Sequence, residues 1–131
     1  MTKPQKSPSW PQLLRAQRRF AEAREWQPFH TPKNLAMALS VEAAELVECF
    51  QWLTPEQSAR LDARARRAVE HEMADVMLYL LRLSDVLGVD LPLAARRKMA
   101  INARKYPVSR SRGTAKRPSR RKAAGRGTTR V

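Results

Sequence analysis

The chain has 131 residues, 26 Lys and Arg against 12 Asp and Glu, a formal charge of +14 and a single cysteine, Cys49. That length is enough for one domain with its own core, a lone cysteine excludes an intramolecular disulfide and any zinc-finger spacing, and no stretch approaches the roughly 18 uninterrupted apolar residues of a membrane span. The charge is uneven: residues 107–131 hold nine Lys or Arg and no acid, while residues 1–106 hold 17 basic and all 12 acidic side chains. Attraction to nucleic acid is therefore expected of the tail and not of the body. The first eleven residues lack a signal-peptide apolar run, and the chain reads as soluble and cytoplasmic.

Residues 1–9 are polar and contain Pro4 and Pro8, and read as a flexible leader. Ser9 precedes Trp10-Pro11, a cap followed by a first-turn proline, so a helix is expected from 10 to about 25 with Leu13, Leu14, Phe20 and Ala21 among its apolar positions. Trp26-Gln-Pro-Phe-His30-Thr31 interrupts the pattern with two aromatics and a histidine. Thr31-Pro32 restarts a helix that the spacing carries to about Trp52, with Leu35, Leu39, Leu46 and Phe50 on one stripe and Ala36, Ala43 and Val47 widening it.

Thr54 and Gln57 have the spacing of a capping box. The Arg-rich stretch 61–67 is weakly amphipathic and reads as a connector or frayed turn. From Ala68 a helix is expected whose stripe is Val69, Met73, Val76, Leu80, Leu83 and Leu87, ending at Gly88. A last helix is entered through Asp90-Leu91-Pro92 and runs to about Tyr106, ahead of Pro107. The expected architecture is all-α: a bundle of four main helices over 10–107, followed by a disordered basic tail, 108–131, too poor in apolar residues to offset the entropy of ordering.

Two acidic repeats stand inside these helices, Glu42-x-x-Glu45 and Glu72-x-x-Asp75. Residues three apart share a helix face. If the two helices pack side by side, four carboxylates converge, and their mutual repulsion calls for a cation with oxygen ligands. Di-iron bundles draw histidine from Glu-x-x-His, but neither His30 nor His71 lies three after a glutamate. All-oxygen ligation favours Mg²⁺, with Mn²⁺ as an alternative. On the last helix Lys98, Asn102 and Lys105 recur at i, i+4 and i+7 with Tyr106 close by, a row that by itself reads as a solvated basic face and that beside an acidic, metal-loaded wall would suit phosphate oxygens.

In this order these residues resemble the all-α nucleoside triphosphate pyrophosphohydrolases, the MazG-like and dCTP pyrophosphatase group. The likeness covers about 12–107. It includes Glu42-x-x-Glu45, 26 intervening residues and Glu72-x-x-Asp75; Arg24-Glu25-Trp26-x-x-Phe29-His30-x-Pro32-x-Asn34; Phe50-Gln51-Trp52; and Lys98-Met99-x-x-Asn102-x-x-Lys105-Tyr106-Pro107. The resemblance implies a MazG-like helical bundle, self-associating as a homodimer or homotetramer, that splits a nucleoside triphosphate between its α and β phosphates. It further implies Glu42, Glu45, Glu72 and Asp75 as Mg²⁺ ligands and catalytic groups. Lys98, Asn102, Lys105 and Tyr106 would bind phosphate, and Gln17, Trp26 and Trp52 would form the base pocket, with a dCTP-like or modified pyrimidine as substrate. At Gln17 the dCTP-preferring branch has a histidine; an amide still hydrogen-bonds a base but stacks less well and does not titrate.

The rival expectation is a non-enzymatic helical module that senses nucleotides or binds nucleic acid through its basic tail. Deleting residues 108–131 separates the two. An enzyme with an accessory tail loses salt-dependent RNA or DNA binding in a filter assay and keeps its hydrolysis; the rival predicts no hydrolysis in either form.

Overall fold

The computed structural model describes residues 2–116; the remainder of the basic tail, 117–131, lies outside the described residues, and with it most of the region expected to be disordered. All regular structure among the described residues is helical: α1 (Trp10–Ala23), a 3₁₀ turn (Gln27–Phe29), α2 (Pro32–Glu48), α3 (Pro55–Ser58), α4 (Ala63–Leu87), α5 (Leu91–Lys105) and α6 (Val108–Ser111). Four of these, α1, α2, α4 and α5, are long, as the apolar periodicity requires. The chain divides into two compact units, one reaching to Leu91 and one starting at Pro92.

Within the first unit, α2 pairs along α4 and α1 packs on α4. One residue from each helix closes the centre: Ala21, Leu35 and Leu81 are fully buried or nearly so. Each start is set by a local cap. Ser9 Oγ accepts from Gln12 N–H while Gln12 Oε1 accepts from Ser9 N–H; Thr31 Oγ1 accepts from Asn34 N–H; and Thr54 and Gln57 complete a second reciprocal box. α4 ends at Gly88, whose φ of 66° carries the chain into the left-handed region, so that Val89 N–H reaches Ser84 O at 2.8 Å.

Several boundaries differ from expectation. α2 stops at Glu48, because Phe50 N–H and Leu53 N–H turn back to Val47 O and Phe50 O, both at 2.9 Å, ahead of the helix-restricting Pro55. Trp52 therefore stands in a turn, not on the helical face of the carboxylates, and is 87% exposed. The Arg-rich stretch is no connector: Asp62 Oδ1 accepts from Ala65 N–H at 2.8 Å and starts α4 at Ala63. On α4 the buried apolar position is Leu81, while Met73, Leu80 and Leu87 are exposed. Apolar residues occupy two faces of this helix, and periodicity alone does not say which one meets α2. Likewise Ala36, Ala43 and Val47 lie outside the α2 contact. The first residues after Pro107 form the short helix α6, where disorder was expected. No helix among the described residues is long and apolar enough to cross a membrane.

Leu81 is fully buried on α4, the helix that both α1 and α2 pack against. Leu81→Ala should cost about 2–5 kcal/mol, read as a lower urea midpoint, whereas Leu80→Ala should cost less than half as much; equal losses would overturn the assigned register of α4.

Candidate functional site

The pairing of α2 with α4 brings Glu42 and Glu45, one turn apart, against Glu72. One carboxylate oxygen from each lies within 4.8 Å of the others. Glu42 Oε2 and Glu72 Oε2 are buried and have no hydrogen-bond partner among the described residues. A buried anionic oxygen without a donor is costly, and among the described residues no Lys or Arg forms an ion pair with these three carboxylates. Burial foremost, then the closeness of Glu45, pushes the Glu42 carboxyl above the usual range, with Asp75 and Glu72 adding to it. Glu72 is raised in the same sense by burial, then by Glu45, Asp75 and Glu48. Unpartnered hard oxygens, converging and mutually repelling, fit a divalent cation with oxygen ligands.

Asp75, one turn beyond Glu72, joins this cluster electrostatically and also lines a neighbouring cleft of about 390 Å³ with Gln17, Phe20, Trp26, His30, Leu78 and Tyr79. Its volume is that of a small-molecule site, apolar and aromatic with a few polar groups. The cleft's outer wall is shaped at the end of α1. Glu25 takes a left-handed φ of 51°, which lets Trp26 N–H return to Ala21 O at 3.0 Å and swings the indole back over the helix. There Trp26 meets Phe20 edge-on at 5.7 Å and His30 at 5.8 Å, and the Arg24 guanidinium lies 3.6 Å over the Phe20 ring. Asn34 Nδ2 donates to Phe29 O at 3.1 Å and ties the segment carrying His30 to the start of α2.

Of the residues expected in a site, Glu42, Glu45 and Glu72 come together, and Asp75, Gln17 and Trp26 share the cleft. Trp52 is not among the cleft's lining residues. Lys98, Asn102, Lys105 and Tyr106 belong to α5 and its end in the second unit, where Lys98, Asn102 and Lys105 are exposed and Tyr106 is half-buried. Tyr106 N–H donates to Asn102 O at 2.8 Å, and Lys105 Nζ stands 5.5 Å from the Tyr106 ring centre. Phe20 and Tyr79 were legible as helix residues but not as cleft walls. Arg18, Arg82 and Asp85 form a connected ion-pair group behind His30; the Arg82–Asp85 spacing of three is a local helix pair, but the links from Arg18 to Asp85 and from Arg82 to His30, 67 and 52 positions apart, carried no local signal.

The MazG-like family model matches residues 37–119. The chain is 41% identical over 110 residues to dCTP pyrophosphatase 1 of Bos taurus and 40% identical over 111 residues to that of Homo sapiens, covering 82% and 83% of this chain. It spans 65% of the length of both relatives. Among solved structures it superposes with a TM-score of 0.72 on a pyrophosphatase from Archaeoglobus fulgidus, at 42% identity, covering 80% of this chain and 99% of that one.

The raised glutamates make a signed prediction. A carboxyl whose folded pKa exceeds its unfolded value binds more protons when folded, so metal-free stability falls as pH rises from the ordinary glutamate range through the raised one. Glu72→Gln should raise the melting temperature of the metal-free protein at about pH 8 and have little effect at about pH 4. Mg²⁺ should stabilise the parent protein at about pH 8 and the variant much less; equal responses would refute a cation role for Glu72.

Proposed function

Because the chain belongs to the MazG-like family, we propose that it is a metal-dependent nucleoside triphosphate pyrophosphohydrolase, releasing nucleoside monophosphate and pyrophosphate. The observation that carries this reading is the continuity of the acidic cluster with the aromatic cleft through Asp75, which serves both. A hard-cation cluster beside a base-sized aromatic wall suits a molecule with a polyphosphate at one end and a flat ring at the other.

In this reading Glu42, Glu45, Glu72 and Asp75 hold Mg²⁺, or Mn²⁺ in its stead. The bound ion supplies charge neutralisation at the phosphates and lowers the pKa of water. Water attacks phosphorus, pyrophosphate departs, and a carboxylate of the cluster takes the water's proton. Burial foremost, and the neighbouring carboxylates, raise Glu42 and Glu72 without a cation, so cation binding would be accompanied by proton release from them. Trp26 offers a face or edge to the base, and Gln17 a donor and an acceptor. Lys98, Asn102, Lys105 and Tyr106 are proposed to hold the phosphate chain, and Trp52 to complete the base pocket. The relatives named for dCTP favour a dCTP-like or modified pyrimidine as substrate.

Self-association belongs to the same proposal. Among the described residues only three apolar side chains are fully buried, while Met37, Val41 and Val47 on α2 and Met73 and Met77 on α4 are exposed. Apolar side chains at this density on two paired helices are the composition of a subunit interface. A second copy offering the same faces would cover them, in a homodimer or a tetramer of such dimers.

The test is a panel of canonical and modified nucleoside triphosphates with Mg²⁺, separating pyrophosphate from orthophosphate, on protein whose mass is taken by light scattering. We expect pyrophosphate and monophosphate, strongest for pyrimidine deoxynucleotides, from a species of at least two copies. Glu45→Ala and Asp75→Ala should each lower kcat by roughly 10²–10³-fold with the helical far-UV signal retained. Full turnover in either variant would sink the ligand assignment, and orthophosphate as product would sink the reaction.

A further inference from the structure

Arg82 is 6% exposed, a guanidinium inside the first unit. Buried arginines require partners, and its partners are specific. Nε donates to His30 Nδ1 at 3.1 Å, and one terminal nitrogen, NH1, donates to Asp85 Oδ2 at 3.2 Å. Asp85 in turn accepts a two-pronged contact from Arg18 of α1, Nε at 3.0 Å and a terminal nitrogen at 2.5 Å. Both arginines hold the Asp85 carboxyl below its usual range, the Arg18 hydrogen bond contributing most.

The consequence falls on His30. A nitrogen that accepts from a guanidinium carries no proton, so the neutral imidazole bears its hydrogen on Nε2. Burial first, and the adjacent Arg82 charge second, hold His30 below its ordinary pKa and so favour this neutral ring. The backbone is pinned too: His30 N–H donates to Trp26 O and Gln27 O, each at 3.1 Å. His30 lines the cleft with Gln17, Trp26 and Asp75, and Nε2 makes no hydrogen bond to any described residue. The ring thus brings to the cleft one donor of fixed sense and no acceptor.

We infer that Arg82 is a positioning residue, held by Asp85 and Arg18, which locks His30 as an Nε2–H donor that reads an acceptor atom, a carbonyl oxygen or unprotonated ring nitrogen, on the nucleobase of the substrate. This rests on the pyrophosphohydrolase reading for the identity of the ligand but not for the state of the ring. Gln17 can present either a donor or an acceptor, so by itself it discriminates poorly. A donor fixed by the buried Arg82 and its ion pair with Asp85 discriminates well, because a base lacking the acceptor leaves it unpaired. Arg82 touches no substrate; its effect passes through the imidazole.

The experiment is a two-bond ¹H–¹⁵N spectrum of the uniformly labelled full chain at about pH 7, which distinguishes the two neutral histidine tautomers and the doubly protonated ring. His30 should appear as a single Nε2–H tautomer without ligand. Arg82→Met, which preserves the stem and removes the donor, should give mixed tautomers and lower kcat/KM by roughly 10-fold to 100-fold for triphosphates with the acceptor, with little change for analogues whose base lacks it. Arg82→Lys, able to donate to Nδ1, should restore part of both. A parent ring protonated on Nδ1 or on both nitrogens overturns the inference, whether or not any variant folds. So does an Arg82→Met protein that keeps both the tautomer and the discrimination. His30→Ala should lose the discrimination that His30→Gln partly keeps; unchanged discrimination in His30→Ala also overturns it. A parent protein that hydrolyses no triphosphate defeats the pyrophosphohydrolase reading and the base-recognition role with it, while hydrolysis with the wrong tautomer defeats only this inference.

Discussion

Glu42 and Glu45 on α2 meet Glu72 on α4 across the contact that holds the first unit together, so the helix pair that supplies the core also supplies its main electrostatic strain. Two buried oxygens without donors are tolerated because the apolar contacts of the same helices, centred on Leu35 and Leu81, oppose the repulsion. In the proposed metal-dependent reading, a cation at these carboxylates would relieve the repulsion and so couple occupancy to stability. Asp75, on the same helix one turn from Glu72, extends this charged field into the cleft.

The ion-pair chain behind His30 treats buried charge in the opposite way. Arg82 and Arg18 share Asp85, and Arg82 also donates from Nε to an imidazole nitrogen. A chain of charge-assisted bonds linking α1, α4 and the turn before α2 also fixes how the cleft's walls stand to one another. One region of the unit thus holds carboxylate oxygens with no hydrogen-bond partner among the described residues, and another holds charge paired within the protein. The contrast marks which carboxylates are available: Asp85 is occupied, whereas Glu42 and Glu72 are not.

The walls of the cleft depend on a break in helicity. α1 ends in a left-handed Glu25, and that reversal turns Trp26 toward Phe20 and His30 instead of letting the indole follow the helix outward. A non-glycine residue there costs roughly 1 kcal/mol, which the Trp26 N–H bond to Ala21 O and the aromatic contacts offset. Exposed methionines and valines on α2 and α4 leave those helices with a second apolar side that the described residues do not cover.

Much of this was determined by the sequence alone, and for a physical reason: caps, first-turn prolines and left-handed glycine stops act over three or four residues. Ser9, Thr31, Thr54 and Gly88 therefore announce their helix ends wherever the rest of the chain goes, and Glu42, Glu45, Glu72 and Asp75 share faces simply by spacing. Asp62 carried an equally local signal that the surrounding arginines obscured. What only the tertiary structure decided was which of two apolar faces on α4 is buried, that Leu81 and not Leu80 points inward, and that the α2 helix releases Trp52 into a turn. It also joined Arg18 to Asp85 across 67 positions and set Arg82 against His30. Those pairings depend on the rotation and offset of packed helices, for which neither periodicity nor composition carries a term.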